Sequence, residues 1–179
     1  GRYLLRQGDY QLDVSYPGYY PLSATIAVNE DSSQEVAFGL KKLPGELIIN
    51  TLPMVDSIVS VDGDVVKPAL AGGFIIAAGQ HTVKITSDRY FAVEQDIQID
   101  GMELTQEIEV ALTPAWAEIS VQSSPTGANI LIDGELSGIS PNTFEVLEGE
   151  HTMILNKSGY KPFEQSLIVT ASQSQSLDA

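Results

Sequence analysis

Apolar and polar residues alternate along most of this chain with a period of two. Ile130 and Ile132, Met153 and Leu155, Val83 and Ile85, and Val59 and Val61 each skip one position, the spacing that lines one face of a half-buried strand. The apolar runs are short. Turn-forming residues interrupt them about every 8 to 12 residues, as at Asp62-Gly63, Asp100-Gly101, Pro125-Thr126-Gly127 and Ser158-Gly159. No stretch shows the three-to-four spacing of a helical face. The pattern predicts strands throughout.

The pattern also repeats. Gly8-Asp9-Tyr10-Gln11-Leu12 returns as Gly79-Gln80-His81-Thr82-Val83, 71 residues on, and again as Gly149-Glu150-His151-Thr152-Met153, 70 residues further. A tyrosine follows each of those glycines by 11 residues, at Tyr19, Tyr90 and Tyr160. Paired aliphatics come next: Ile26 and Val28, Ile97 and Ile99, Leu167 and Val169. Upstream, Val59-Ser60-Val61-Asp62-Gly63 aligns with Ile130-Leu131-Ile132-Asp133-Gly134, and Pro53 with Pro125. A unit of about 70 residues has been copied, a signature to be read before any other. On this reading residues 1–43 are the C-terminal half of a unit, 44–113 a full unit, and 114–179 a further one. The last stops at Leu177-Asp178-Ala179, where its sisters run on as Val36-Ala37-Phe38-Gly39-Leu40 and Glu107-Ile108-Glu109-Val110-Ala111-Leu112. The expectation is a piece cut at both ends from a longer protein.

Short strands at this spacing, in a unit too small to cover a parallel sheet with helices, predict an all-β fold of tandem small antiparallel β-sandwich modules, Ig-like or prealbumin-like. A unit of about 70 residues buries only around 60 % of its unfolded surface, so it leans on its neighbours. Pro44 and Pro114 fix φ at the junctions, which predicts an extended, semi-rigid array.

The last unit carries recognisable motifs. Ser123-Ser124-Pro125-Thr126-Gly127-Ala128, Ile130-Leu131-Ile132-Asp133-Gly134, Gly138-Ile139-Ser140-Pro141, Gly149-Glu150-His151-Thr152 and Gly159-Tyr160-Lys161-Pro162-Phe163 resemble, in order, the signatures of the PEGA domain. The middle unit resembles a degenerate copy, with Pro53-Met54-Val55-Asp56 in place of the tetrapeptide that gives the family its name. The first half unit keeps the later motifs, notably Gly18-Tyr19-Tyr20-Pro21. The resemblance implies small all-β modules of bacterial or archaeal surface and envelope proteins, often in tandem beside enzymatic or signalling domains. It implies a presenting, spacing or binding role and no catalysis. The signature residues also have plain physical roles. Gly127, Gly149 and Gly159 lie between strand segments, Asp62-Gly63 and Asp133-Gly134 are hairpin-turn dipeptides, and Tyr19, Tyr90 and Tyr160 are expected to cap the sandwich edge with their rings packed inward.

Charge narrows the partners. Nine Lys and Arg stand against 24 Asp and Glu, a net charge of −15 that repels phosphate backbones and excludes nucleic acid. The acidic residues are scattered over strand faces and turns. There is no cysteine, hence no disulfide, thiolate chemistry or cysteine zinc site. No apolar run approaches the roughly 20 residues of a transmembrane helix.

Candidate chemistry is sparse. Asp62 with Asp64, or Asp96 with Asp100, would be a carboxylate pair, but a turn aspartate usually bonds its own backbone. Calcium at Asp62-Gly63-Asp64, Asp100-Gly101 or Asn29-Glu30-Asp31 lacks the length and ligand order of a dedicated loop. His81 and His151 hold equivalent positions, with Tyr10 in the first copy, and read as half-exposed strand residues rather than ligands or bases. Gly72-Gly73 reads as a flexible connection, since no helix follows to cradle phosphate. Ser123, Ser124, Ser140 and Ser158 sit in turns without a histidine nearby. Trp116, the one tryptophan, reads as packing at a unit junction in preference to a ligand platform.

The expectation is a non-enzyme without cofactor or metal, working as a semi-rigid spacer or protein-interaction scaffold in the periplasm, at the cell surface or outside the cell. The alternatives are a glycan- or peptidoglycan-binding module, or a region that regulates or positions a catalytic or signalling domain. A protein or an envelope glycan is the expected partner, through the aromatic group Tyr16, Tyr19 and Tyr20 or a free sheet edge. An exposed half sandwich would also pair edges with another copy.

Overall fold

The computed structural model describes residues 3–30 and 33–179, and every regular element among them is a strand. β1 (Gly8–Val14) and β2 (Leu22–Val28) form a two-stranded antiparallel sheet, with Leu12 opposite Ala24 and Tyr10 opposite Ile26. Then come β3 (Gly45–Leu52), β4 (Ile58–Val61), β5 (Asp64–Val66), β6 (Phe74–Ile76), β7 (Gly79–Thr86), β8 (Val93–Ile99) and β9 (Thr105–Ala111). They make a three-stranded sheet in the order β6-β3-β9 and a four-stranded sheet in the order β5-β4-β7-β8. The last strands are β10 (Trp116–Gln122), β11 (Asn129–Ile132), β12 (Glu135–Ile139), β13 (Asn142–Leu147), β14 (Gly149–Asn156), β15 (Phe163–Val169) and β16 (Gln175–Asp178). They repeat the arrangement as β13-β10-β16 and β12-β11-β14-β15. The chain divides into two compact units, one of Gly1–Thr51, Val59–Lys84 and Glu94–Val110, the other of Leu52–Ile58, Ile85–Val93 and Ala111–Ala179.

The second unit shows how alternation becomes a core. Ala117, Ile119 and Val121 of β10 point inward with Ile130, Val146, Met153, Leu155, Leu167 and Val169, all buried, and Ile132, Phe144 and Leu177 pack against them. In the first unit Leu47, Val59, Val61, Phe74, Ile76, Val83, Ile99 and Val110 are buried at the same alternate positions. Each such aliphatic side chain contributes about 1.5–3 kcal/mol by leaving water.

Both Asp-Gly turns are the two-residue loops expected of them. Asp62 and Gly63 have φ of 53° and 92°, Asp133 and Gly134 51° and 85°, the doubly positive pair of a tight hairpin. The aligned Leu52-Pro53 and Ser124-Pro125 bonds are both cis. Two details depart from expectation. β16 lies parallel to β10, with Ile119 opposite Gln175 and Val121 opposite Leu177. The chain leaves this sheet through β14 and β15 and returns to it in the original direction, so its sheet is mixed. Gly72-Gly73 is a hydrogen-bonded turn, not a loose connection: the Ala69 amide donates to Gly73 O (2.7 Å) and the Gly72 amide to Ala69 O (2.8 Å).

Candidate functional site

The two histidines belong to a clamp that the chain builds twice. Asp133 directly follows the β11 strand, and Thr152 lies beside it in the middle of β14. The Asp133 amide donates to Thr152 O (2.9 Å), and the Thr152 amide donates back to Asp133 Oδ1 (2.8 Å). The other carboxylate oxygen, Oδ2, meets His151 Nδ1 at 2.7 Å, while His151 Nε2 meets Leu147 O at 2.9 Å. In the earlier copy Asp62, Thr82, His81 and Ala77 repeat all four contacts, at 2.8, 2.9, 2.6 and 3.0 Å. The imidazoles are about 15 % exposed, less than the half-exposed strand residues the sequence implied. Tyr10 keeps one arm of the clamp: its hydroxyl donates to Arg6 O, four residues back, at 2.9 Å.

This geometry decides what the histidines can do. Both ring nitrogens face oxygen acceptors. Each ring is thereby held by two contacts to oxygens of the fold itself. The carboxylates are equally committed. Asp62 is held below its ordinary value by the His81 hydrogen bond first and then the Thr82 amide, Asp133 by the Thr152 amide first and then His151.

A pH dependence follows. A carboxylate depressed in the fold binds its proton more weakly there than in the unfolded chain, so it stabilises the fold above the ordinary value near 3.8. That contribution declines as pH falls through the window between 3.8 and the lower native values, and below the native values it is gone. Urea unfolding midpoints measured in steps below pH 5 are expected to fall across this window. An Asp62→Asn, Asp133→Asn double variant is expected to start lower and to fall less.

The Ser140 hydroxyl joins two other signature segments. It is buried, it accepts from the Ala128 amide at 3.0 Å, and it lies 2.5 Å from Ser123 Oγ. Backbone bonds from Gly127 N to Ser140 O and from Ser140 N to Ala128 O, both 2.8 Å, close the seam. Thus the Ser-Ser-Pro-Thr-Gly-Ala and Gly-Ile-Ser-Pro motifs are one structural element. Ser140→Ala leaves a buried amide without its acceptor and is expected to cost about 1–3 kcal/mol in chemical unfolding.

The tyrosine landmarks form a third recurring feature. Residues 16–19, 87–90 and 157–160 each close a turn by an amide-to-carbonyl bond, Tyr19 to Tyr16, Tyr90 to Ser87 and Tyr160 to Lys157, at 3.1, 3.3 and 3.1 Å. The residue before each tyrosine has positive φ: Gly18 at 80°, Arg89 at 65°, Gly159 at 85°. Two of these turns hold the linker that follows. Tyr20 N donates to Lys41 O (2.9 Å) and Leu43 N to Gly18 O (2.8 Å); Phe91 N donates to Thr113 O and Ala115 N to Arg89 O, both 2.9 Å. Arg89 adopts a conformation that costs a side-chain-bearing residue about 1 kcal/mol. Its side chain pairs with Glu145 and lies over the Trp116 ring, 5.6 Å from the centroid.

Of the aromatic group, Tyr16 and Tyr19 meet edge to face at 5.7 Å, and Lys41 Nζ lies 5.8 Å from the Tyr20 ring centroid. Tyr16 is 64 % exposed and Tyr20 43 %, while Tyr19 is half-buried. Asp96 accepts from Thr82 Oγ1 at 2.7 Å, and Asp100 contributes its carbonyl to Lys42 Nζ at 3.1 Å. Asp31 lies outside the described residues. Among those residues no group of three or more His, Asp or Glu side chains is placed to hold a metal ion, and no helix is long and apolar enough to cross a membrane. The Asp-His pairing is what sequence reading missed. Its signal was present, since an Asp-Gly turn precedes each histidine by 19 and 18 residues.

No curated protein matches the chain. Among solved structures it is similar to the Bacillus anthracis TIE protein, at 16 % identity and a TM-score of 0.46, over 98 % of this chain and 42 % of that one. The chain thus spans less than half of that structure's length. The family model of the PEGA domain matches residues 116–179. Those residues hold the Ser123–Ser140 seam, the Asp133–His151 clamp and the Gly159-Tyr160 turn, and this part of the chain is a PEGA domain.

Proposed function

We propose that this chain is a non-catalytic β-repeat region of a periplasmic, cell-surface or extracellular protein, serving as a semi-rigid spacer and interaction scaffold. The observation that carries the reading is the pair of backbone hydrogen bonds pinning each linker to the preceding tyrosine turn, at Gly18–Tyr20 with Lys41–Leu43 and at Arg89–Phe91 with Thr113–Ala115. A linker tied at two points has lost most of the torsional freedom that a loose tether would exploit. The recurring polar side chains point the same way. The carboxylates and imidazoles of both clamps are hydrogen-bonded within the fold, which supports a structural role for them.

The chain has no cysteine, so spin labels can be placed on cysteines introduced at the exposed Gln11 and Glu164. A single narrow distance distribution is expected from pulsed dipolar spectroscopy. A broad one, unchanged by dilution, would remove the spacer reading. The exposed rings of Tyr16 and Tyr20 with Lys41 beside them favour a second reading, a module that binds envelope glycan through stacked aromatic faces. Binding on a glycan array that is lost in a Tyr16→Ala, Tyr20→Ala variant would establish it, and a silent array would leave the scaffold reading alone.

A further inference from the structure

Three equivalent turns share one geometry, and among the described residues two of them are filled. At Gly18-Tyr19-Tyr20 and Arg89-Tyr90-Phe91 an extended triplet of the following linker lies alongside, Lys41-Lys42-Leu43 in the first case and Thr113-Pro114-Ala115 in the second. Its first carbonyl accepts from the residue after the tyrosine. Its third amide donates to the residue before it. The central residues pair as isolated antiparallel bridges, Tyr19 with Lys42 and Tyr90 with Pro114. The triplets share no side-chain chemistry, so the recognition is made by backbone atoms presented at a fixed spacing, as in the addition of a strand.

The third turn, Gly159-Tyr160-Lys161, presents the same atoms. Its closing bond and its positive φ match the other two. Yet Gly159 O and Lys161 N have no hydrogen-bond partner among the described residues. Tyr160 is 60 % exposed where Tyr19 and Tyr90 are half-buried. A side chain added at Gly18 would strike Met102, whereas at Gly159 it would meet open space. We infer that Gly159-Tyr160-Lys161 is a docking site, competent to seat the extended triplet that leads into a further unit of this same repeat placed behind Ala179. The turn would then act as the coupling element of the array, adding one unit at a time by two backbone hydrogen bonds and the cover of one tyrosine ring. This inference rests on the scaffold reading above and extends it to a named site.

The test joins a second copy of residues 110–179 after Ala179, a register in which Ala179 takes the place of Glu109 in the earlier copy. Amide hydrogen exchange is then followed at Tyr20, Phe91 and Lys161. In the chain as it stands, Tyr20 and Phe91 are expected to be protected and Lys161 open. In the extended chain the Lys161 amide is expected to slow by at least ~100-fold, and Tyr160 to lose reactivity toward tetranitromethane. Proline at the appended equivalent of Ala115 removes one of the two donors and is expected to reverse part of that protection. If Lys161 stays open while Tyr20 and Phe91 are protected, the docking site is refuted and the scaffold reading survives. If all three amides exchange freely, both fall. An appended copy that fails to fold also refutes the docking site, because the same sequence folds behind Thr113. Protection of Lys161 in the unextended chain that grows with concentration would place the occupant in a second molecule and overturn the assignment.

Discussion

Ile119→Ala is expected to destabilise the second unit by about 2–5 kcal/mol, the range for truncating a large buried aliphatic side chain. Ile119 has no exposed surface and lies in the middle of β10, the strand bonded to β13 on one side and to β16 on the other. Truncation removes contacts on its core face, and strands paired on both edges have little freedom to close the cavity. The loss thus includes a cavity contribution as well as a transfer contribution. Trp116 opens the same strand and is the chain's single tryptophan, so its fluorescence reports this transition directly in a urea titration. A shift worth less than about 1 kcal/mol would mean that Ile119 does not sit in the packed core described above.

Gly101→Ala is expected to have an effect of similar size at a different kind of position. A Cβ on Gly101 would lie 2.5 Å from Ala78 Cβ and 2.6 Å from the Leu43 carbonyl oxygen, and the backbone is held at φ +72°. That carbonyl cannot retreat cheaply, because it already accepts from Met102 N at 2.8 Å, and the next carbonyl, Pro44 O, accepts from Glu103 N at 2.8 Å. Overpacking of this kind costs about 1–3 kcal/mol, and the left-handed φ adds about 1 kcal/mol for any residue with a Cβ. Thermal unfolding by circular dichroism is expected to shift down accordingly. By contrast, Gly63→Ala meets no atom within 4 Å and is expected to show only the smaller backbone cost. Equal midpoints for the two variants would show that contact at Gly101 contributes nothing.

These two positions differ in how far the chain advertised them. Ile119 was legible as one of several alternating aliphatics, and its burial follows from the period of two alone. Gly101 was legible only as part of a turn. The close approach of Leu43, far away in sequence, is a tertiary fact. The Asp-Gly hairpins were legible because positive φ at two successive residues is a local demand that Asn, Asp and Gly meet most easily. Arg89 shows the limit of that logic. It stands where its sisters carry Gly18 and Gly159, adopts the same positive φ, and its reason lies in Glu145 and Trp116.

The clamps make the same point for the candidate site. Equivalence of His81 and His151 was plain from the repeat, and so was their nearness to a glycine turn. Their partners were not, since Asp62 and Asp133 come within reach only when β4 and β11 pair with the strands that carry the histidines. Pairing register is a property of the assembled sheet. The aromatic group was visible as composition, but its division into a half-buried Tyr19 and exposed Tyr16 and Tyr20 depends on what the linker covers.

By itself the order of residues determined that this protein is all strand, that one motif recurs along it, and where its tight turns fall. Each of those is set by interactions spanning only a few residues: side-chain alternation, permitted φ, the reach of a hairpin. Only the tertiary structure decided that β16 would run parallel to β10, that both imidazoles would be locked between two oxygens, and that the Tyr19 and Tyr90 turns would each hold the linker that follows. Such outcomes depend on which distant backbone atoms find one another once the sheets are built, and no local preference encodes that choice.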